Sequence, residues 1–313
     1  MRKVIGIGET VLDIIFKGGQ PVSAVPGGSV FNGIISLGRA GVPAAFVSEV
    51  GDDRIGRRTV SFLEENGVDA AHVSSYRGTK SPISLAFLND SNDAEYIFYK
   101  DHPHDRLDYA TPEIERDDIV VLGSYYAVNP VIRPQVAAIL NAARDKGAII
   151  YYDVNFRAAH ADEVMRLTPN ILENFEYADI VRGSREDFNV MYRMDTPDKV
   201  YNSQVSFYCK KFVYTDGADA VELRGDGGLR KSYPVEPTAT VSTIGAGDNF
   251  NAGLVYGLVK YGVTREMMDG PLGEDTWDNI IRCAMAFSAN CCKSINNSID
   301  KAFGEAMKEE LGK

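Results

Sequence analysis

The sequence predicts an α/β fold: a central, mainly parallel sheet with helices on both faces, and a second, smaller sheet beside it. Three observations predict it. Short apolar runs alternate with amphipathic helical segments through most of the 313 residues, the pattern of successive βαβ units. Two hairpin-like pairs, near 11–26 and 77–101, have no helix between their strands and so do not belong to a parallel sheet. Polar and glycine residues follow the apolar runs instead of interrupting them, which is where open α/β sheets bind ligands. One domain over 1–313 is expected, with the small sheet from about 11–26 and 77–101 set into it as a cap over the site.

Taken in order, residues 3–8 read as a buried strand ending in Gly6-Ile7-Gly8. A dinucleotide fingerprint would need a third glycine where Val11 stands and a helix where an extended run continues, so that reading fails. Asp13 follows this strand end, within the hairpin formed by Thr10–Phe16, Gly18-Gly19 and Pro21–Val25. Pro26-Gly27-Gly28-Ser29 breaks the chain before a helix from Val30 to Ala40, with Asn32 in its first turn. This is either a capped Gly-Gly turn or a loop-to-helix site in which Asn32 offers a donor and an acceptor to a hydroxylated ligand. Ala44–Val50 reads as a strand and Arg54–Asn66 as an amphipathic helix closed by Gly67. Ile83–Leu88 and Glu95–Lys100 form the second extended pair, with Phe87, Phe98 and Tyr99 giving it an aromatic character. Strands are expected at Ile119–Leu122, Ala148–Val154, Asp179–Arg182 and Lys211–Thr215. Helices are expected at Arg133–Lys146, Thr168–Tyr177 and, capped by Ser184, up to Met191. Val221–Leu223 and Leu229–Tyr233 read as a hairpin, and helices over about Asp275–Cys292 and Asp300–Leu311 end the chain.

The densest motif is Ser242-Thr243-Ile244-Gly245-Ala246-Gly247-Asp248-Asn249-Phe250, followed by a helical face of Gly253, Leu254, Gly257, Leu258 and Tyr261. Gly245 to Gly247 therefore sit at a helix entrance, where free N–H groups and the helix dipole bind anions without a basic side chain. A carboxylate at Asp248 would repel such an anion. It is either an N-terminal cap or a general base beside a bound phosphate; the arrangement along the whole chain favours the base.

Composition narrows the classes. A net charge of −11 is unsuited to a broad nucleic-acid surface, and no apolar run or basic amphipathic segment points to a membrane. Cys209, Cys283, Cys291 and Cys292 match no zinc spacing and read as reduced thiols of a cytoplasmic protein. The histidines at 72, 102, 104 and 160 are scattered, which argues against a histidine-based triad or metal site.

The chain resembles the PfkB, or ribokinase-like, family of sugar kinases. Residues 26–41 resemble the first family signature and 242–253 the second, usually D-T-x-G-A-G-D-x-F-x-A-G; Asp153-x-Asn155-x-Arg157 resembles a third segment. The resemblance implies a three-layer α/β sandwich with a small β-sheet lid, and an ATP-dependent phosphotransferase. It gives Asp248 the role of base and Gly245, Ala246 and Gly247 that of the anion hole. It gives Asp13, Gly28 and Asn32 the sugar hydroxyls, with Arg157 from the third segment also on the substrate side. Ser184, Asp187, Thr215, Gly217 and Asn290 fall on the ATP side. No protein metal site is expected, because Mg²⁺ would be held mainly by ATP phosphates and water.

Within the lid, Phe98, Tyr99 and Lys100 are read as substrate contacts and Tyr96 as sheet packing. Only Arg77, Lys80 and Lys100 supply cations between 77 and 101, so an unphosphorylated sugar such as fructose is favoured over a phosphorylated one. The alternatives are a 2-keto-3-deoxygluconate kinase, a ribokinase or nucleoside kinase, and a sugar-binding regulatory protein with an impaired kinase site. The last is motivated by two departures. Ser242 replaces the first Asp of the signature, and Ser184 to Asp187 replaces the family's N-x-x-E. Open edges of the lid sheet are compatible with a homodimer.

Overall fold

A computed structural model of the chain describes residues 2–89, 94–101 and 112–312, the side chains of Ala94, Lys100 and Asp101 excepted. His102, His104 and the tip of the second hairpin lie outside the described residues, as does the Lys100 side chain read as a lid contact.

The first part of the chain forms β1 (Val4–Ile7), β2 (Val11–Lys17), β3 (Gln20–Gly27), α1 (Ser29–Arg39), β4 (Ala44–Gly51) and α2 (Arg54–Glu65). Four strands follow, β5 (Val68–Asp69), β6 (Val73–Tyr76), β7 (Lys80–Leu88) and β8 (Ala94–Asp101). The middle contains β9 (Ile119–Gly123), α3 (Ser124–Val128), α4 (Arg133–Lys146), β10 (Ile149–Asp153), α5 (Val164–Tyr177), β11 (Ile180–Ser184), α6 (Arg185–Tyr192) and α7 (Pro197–Ser203). The last part comprises β12 (Phe212–Asp216), β13 (Ala220–Arg224), β14 (Arg230–Pro234), α8 (Ala246–Lys260), α9 (Arg265–Met268), α10 (Glu274–Cys291) and α11 (Lys301–Leu311).

The large sheet runs β14-β13-β12-β11-β10-β9-β1-β4-β5, with β6 also on β4. Its pairs are parallel from β12 to β5 and antiparallel only in the β12–β13–β14 meander. Alternation along the strands feeds two cores. Val4, Ile119, Val121, Ile149 and Tyr151 pack with α1, α8 and α10. Their neighbours Ile5, Val120, Leu122, Ile150 and Tyr152 pack on the opposite face with α4 and α5. A strand buried on both faces reads as a continuous apolar run, which is why these strands are legible in the sequence.

The second sheet is β3-β2-β7-β8. The two hairpins join through a parallel β2–β7 pair that sets Asp13 opposite Ser84, and Ser84 lies opposite Phe98 on β8. The elements the sequence reading lacks, β5, β6, α3, α7 and α9, are two to seven residues long, too short to express a period. Helix α5 starts at Val164, ahead of the expected Thr168, because a 3₁₀ turn over Ala158–Glu163 leads into it.

Candidate active site

The carboxyl ends of β1, β9, β10 and β11, the N-termini of α1 and α8, and the inner face of β8 enclose a cleft of about 1180 Å³. Parallel strands deliver their C-terminal loops to one edge, so polar residues far apart in sequence meet there. Asp13, Gly28, Asn32, Arg157, Asp187 and Asp248 all line it.

Asp13 projects from β2 and is buried. One carboxylate oxygen accepts from the Ser84 hydroxyl and the other from Asn297 Nδ2 at 2.8 Å. Burial pushes its pKa up to about 6 against those two bonds, with the charge of Asp248 adding to the rise and that of Arg157 opposing it. Gly27 and Gly28 let the β3–α1 turn close over this group. A Cβ on Gly27 would strike the Asp13 carboxylate, and one on Gly28, at φ 133°, the Glu9 carbonyl.

Asp248 lies in the first turn of α8, whose N-cap is Gly245 at φ 76°. Its carboxylate is turned across to α1, accepting from Asn32 Nδ2 at 2.8 Å. Desolvation pushes its pKa up to about 6, opposed by the Asn32 bond and the Arg157 charge. Gly245 and Gly247 line the cleft, while Ala246 is not on its wall. Gly245 needs its left-handed conformation and lack of a side chain, since a Cβ would sit 2.7 Å from the Asn297 carbonyl oxygen. Asn249, read in the sequence only as a motif spacer, is fully buried. Its Nδ2 donates to the carbonyls of Gly245 (2.8 Å) and Asn297 (2.9 Å), and its Oδ1 accepts from Ser36 Oγ (2.5 Å).

On β8, residues two apart share a face. Tyr96 and Phe98 stack at 5.8 Å and both line the cleft. Tyr99 is on the other face, 54% exposed. Tyr99, expected as a substrate contact, is thus off the cleft wall, and Tyr96, expected to pack in the sheet, lines it; strand alternation sets the two on opposite faces. Arg157 is exposed and lines the cleft; its carbonyl accepts from the His160 N–H, while its guanidinium has no ion pair or hydrogen bond among the described residues.

The far side of the cleft is organised by a residue the sequence reading missed. Arg182 reads as part of a buried apolar strand, and it is indeed buried. Its guanidinium donates to Asp153 Oδ1 (2.9 Å) and Thr215 Oγ1 (2.6 Å) beside Gly247. Asp153 Oδ2 accepts from Asn251, and Asn251 accepts from the Tyr151 hydroxyl. Ser184 caps α6 in a capping box with Asp187, whose other oxygen accepts from the Phe156 N–H at 2.8 Å. Gly217, at φ 54°, sits in an open turn after β12. Asn290 is off the cleft wall: its amide pairs both ways with Asp300 and ties α10 to α11.

Residues 1–300 match the pfkB family carbohydrate kinase family. The chain belongs to that family. This kinase is 28% identical over 247 residues to a 5-dehydro-2-deoxygluconokinase of Geobacillus kaustophilus, covering 75% of this chain and 72% of the relative. It is 28% identical over 271 residues to fructokinase-1 of Oryza sativa subsp. japonica, covering 82% and 83%. Among solved structures it superposes on a fructokinase from Vibrio cholerae, bound to fructose, ADP and a calcium ion, with a TM-score of 0.83 at 20% identity, over 98% and 99% of the two chains. An aminoimidazole riboside kinase from Salmonella enterica, complexed with aminoimidazole riboside and an ATP analogue, gives 0.79 at 20% identity over 99% and 100%. The kinase is a phosphotransferase that acts on a sugar hydroxyl.

In this kinase the two departures from the signatures are absorbed locally. Ser242 is fully buried and accepts from the Ile244 N–H at 3.2 Å, which holds the approach to Gly245. Asp187, one methylene shorter than the usual Glu, spends both oxygens on α6 capping and on the Phe156 N–H.

Proposed function

We propose that this kinase transfers the γ-phosphoryl group of ATP to a hydroxyl of an unphosphorylated sugar, fructose or a close relative. The observation that carries the reading is the placement of Asp248. It joins the Gly245 helix entrance to a carboxylate that faces Asn32 and, across the same cleft, Asp13.

Asp13, Asn32 and the Gly28 turn orient the sugar. Its reacting hydroxyl lies against Asp248, which takes the proton as the oxygen bonds to the γ-phosphorus. The bond from that phosphorus to the bridging oxygen breaks, and ADP leaves. Charge on the transferred group is met by the N–H groups at Gly245 to Gly247, fixed before reaction by the Asn249 hub. ATP lies toward Ser184, Asp187, Thr215 and Gly217; Asn290, engaged with Asp300, is left out of this reading. Mg²⁺ would be carried mainly by the nucleotide phosphates and water; Asp153 and Asp187 each accept protein donors on both oxygens, from Arg182 and Asn251 and from Ser184 and Phe156.

We read the molecule as one domain with the small sheet as its lid, Tyr96 and Phe98 meeting the sugar. The lid's outer face carries three apolar cross-strand rows: Leu12–Ile83–Tyr99, Ile14–Leu85–Ile97 and Phe16–Phe87, the last stacked at 4.9 Å. Such a face fits a second copy of the chain. No helix among the described residues is long and apolar enough to cross a membrane, and we assign the kinase to the cytoplasm.

A second reading is a sugar acid. Arg157 offers the cleft a guanidinium with no ion pair among the described residues, suited to a carboxylate. ADP release with fructose, 2-keto-3-deoxygluconate, 5-dehydro-2-deoxygluconate, ribose and a nucleoside separates the two. Turnover of fructose supports the first reading, and turnover restricted to the acids supports the second. Binding without turnover of every compound contradicts both and returns the impaired regulatory protein.

A further inference from the structure

Asn297 belongs to none of the signatures. It lies in the loop between α10 and α11, in the stretch Ser294-Ile295-Asn296-Asn297-Ser298, polar apart from Ile295. Yet it is buried, and it touches both halves of the cleft. Its Nδ2 donates to Asp13 Oδ2 at 2.8 Å. Its carbonyl accepts from Asn249 Nδ2, which also donates to Gly245. The Gly245 turn is in van der Waals contact with the Asn297 backbone, leaving no room for a Cβ. Two residues on, the Ile299 N–H donates to Asn249 Oδ1, pinning the loop from the other side.

We propose that Asn297 is a positioning residue for the sugar: it orients the Asp13 carboxylate and couples its place to that of the phosphate-binding turn. The amide is fixed in one sense, because rotating it would set an oxygen against the carboxylate. Its Oδ1 accordingly stays buried with no hydrogen-bond partner among the described residues. With Ser84 on one oxygen and Asn297 on the other, Asp13 is held by β7 and by the α10–α11 loop. Each oxygen keeps acceptor capacity for a sugar hydroxyl, and Asp13 lines the cleft. The link explains how a loop about 50 residues past the signature turn, by the numbering of Asn249 and Asn297, bears on the binding of a sugar by β2. The inference rests on the reading that Asp13 binds the sugar.

The pH dependence gives a readout that loosening of the fold would not. The charged and titratable groups acting on Asp13 are Arg157 after β10, Asp248 on α8 and Tyr96 on β8, with Ser84 and Asn297 as neutral donors; Glu9 after β1 lines the same cleft. Asn297 favours the ionised form of Asp13, so its loss raises the pH at which the carboxylate protonates.

The test is Asn297→Ala beside Asp13→Asn, with kcat and KM for the accepted sugar and for ATP followed against pH. For Asn297→Ala the expected result is a sugar KM about tenfold higher, the size of a lost bond to a charged group. The acid limb of kcat/KM for the sugar should move to higher pH, with ATP KM and kcat close to wild type. An unchanged sugar KM and limb, or an equal loss in kcat and in both KM values, overturns the proposal. If Asp13→Asn itself leaves sugar binding intact, the sugar-site reading fails instead, and the two failures are told apart. Should Asn297→Ala not fold, Asn297→Asp keeps the size of the side chain and sets a second carboxylate against Asp13. It is expected to move the limb upward further still, and a wild-type limb in that variant also overturns the proposal.

Discussion

Two buried carboxylates face each other across the cleft, and their burial has a cost as well as a use. Desolvation pushes both Asp13 and Asp248 up to about 6 from an ordinary 3.8. An acid whose pKa is raised by folding binds more protons in the folded state between those two values. Stability therefore falls as pH rises through that window and stays reduced above it. Each group is destabilising at neutral pH by about 3 kcal/mol at most, given about 1.36 kcal/mol per pKa unit. Removing the charge at Asp248 should stabilise the protein while disabling it, the trade-off expected where activity needs a strained group. Asp248→Asn is expected to raise the thermal midpoint by a few degrees at neutral pH and to leave it nearly unchanged in acid, below the unfolded-state value. A midpoint lowered at neutral pH would show that the carboxylate is a structural anchor. In the wild type, kcat is expected to fall as pH drops through about 6, because the base is then protonated.

Among the elements, β8 and the α10–α11 loop separate what sequence can say from what it cannot. The glycine turn before α8 is legible because only glycine tolerates φ 76° with the Asn297 carbonyl so near. Asp153 is legible because it ends an apolar strand, and Asp13 because it is an acid set into the apolar extended run that follows β1. On β8 the aromatic run Tyr96-Ile97-Phe98-Tyr99 shows no polar alternation, so its two faces are indistinguishable until pairing with β7 fixes them. Arg182 is hidden for the opposite reason. Its charge is neutralised by Asp153, a partner 29 positions away that sequence cannot pair with it. Asn297 is hidden because a loop of Asn and Ser carries no motif. The β8 assignment has a direct consequence. Tyr96→Ala should raise the sugar KM by about tenfold, the scale of one aromatic contact, whereas Tyr99→Ala should leave it nearly unchanged. Steady-state kinetics on both variants check this, and equal effects would contradict the alternation.

At the scale of the whole molecule, the large sheet buries both of its faces, whereas the small sheet covers the cleft with one face and leaves the other apolar. Val22, Ile97 and Tyr99, all in that sheet, are among the most exposed large apolar residues described. If that face binds a second copy, a charge at its centre should break the pair. Leu85→Lys is expected to convert a dimer into a monomer in sedimentation equilibrium while the lid strands still form, and a wild type that sediments as a monomer would contradict the docking. The same architecture makes the site depend on every layer: α1 and α8 bring Asn32 to Asp248, the small sheet brings Asp13, and the C-terminal loop fastens them. The central claim is that Asp248 takes the proton of the sugar hydroxyl as the phosphoryl group is transferred. The most direct measurement is kcat of Asp248→Asn beside its equilibrium affinity for the accepted sugar. A kcat lowered by about 10²–10⁴ with affinity nearly intact is the expected result; a kcat equal to that of the wild type would contradict the account.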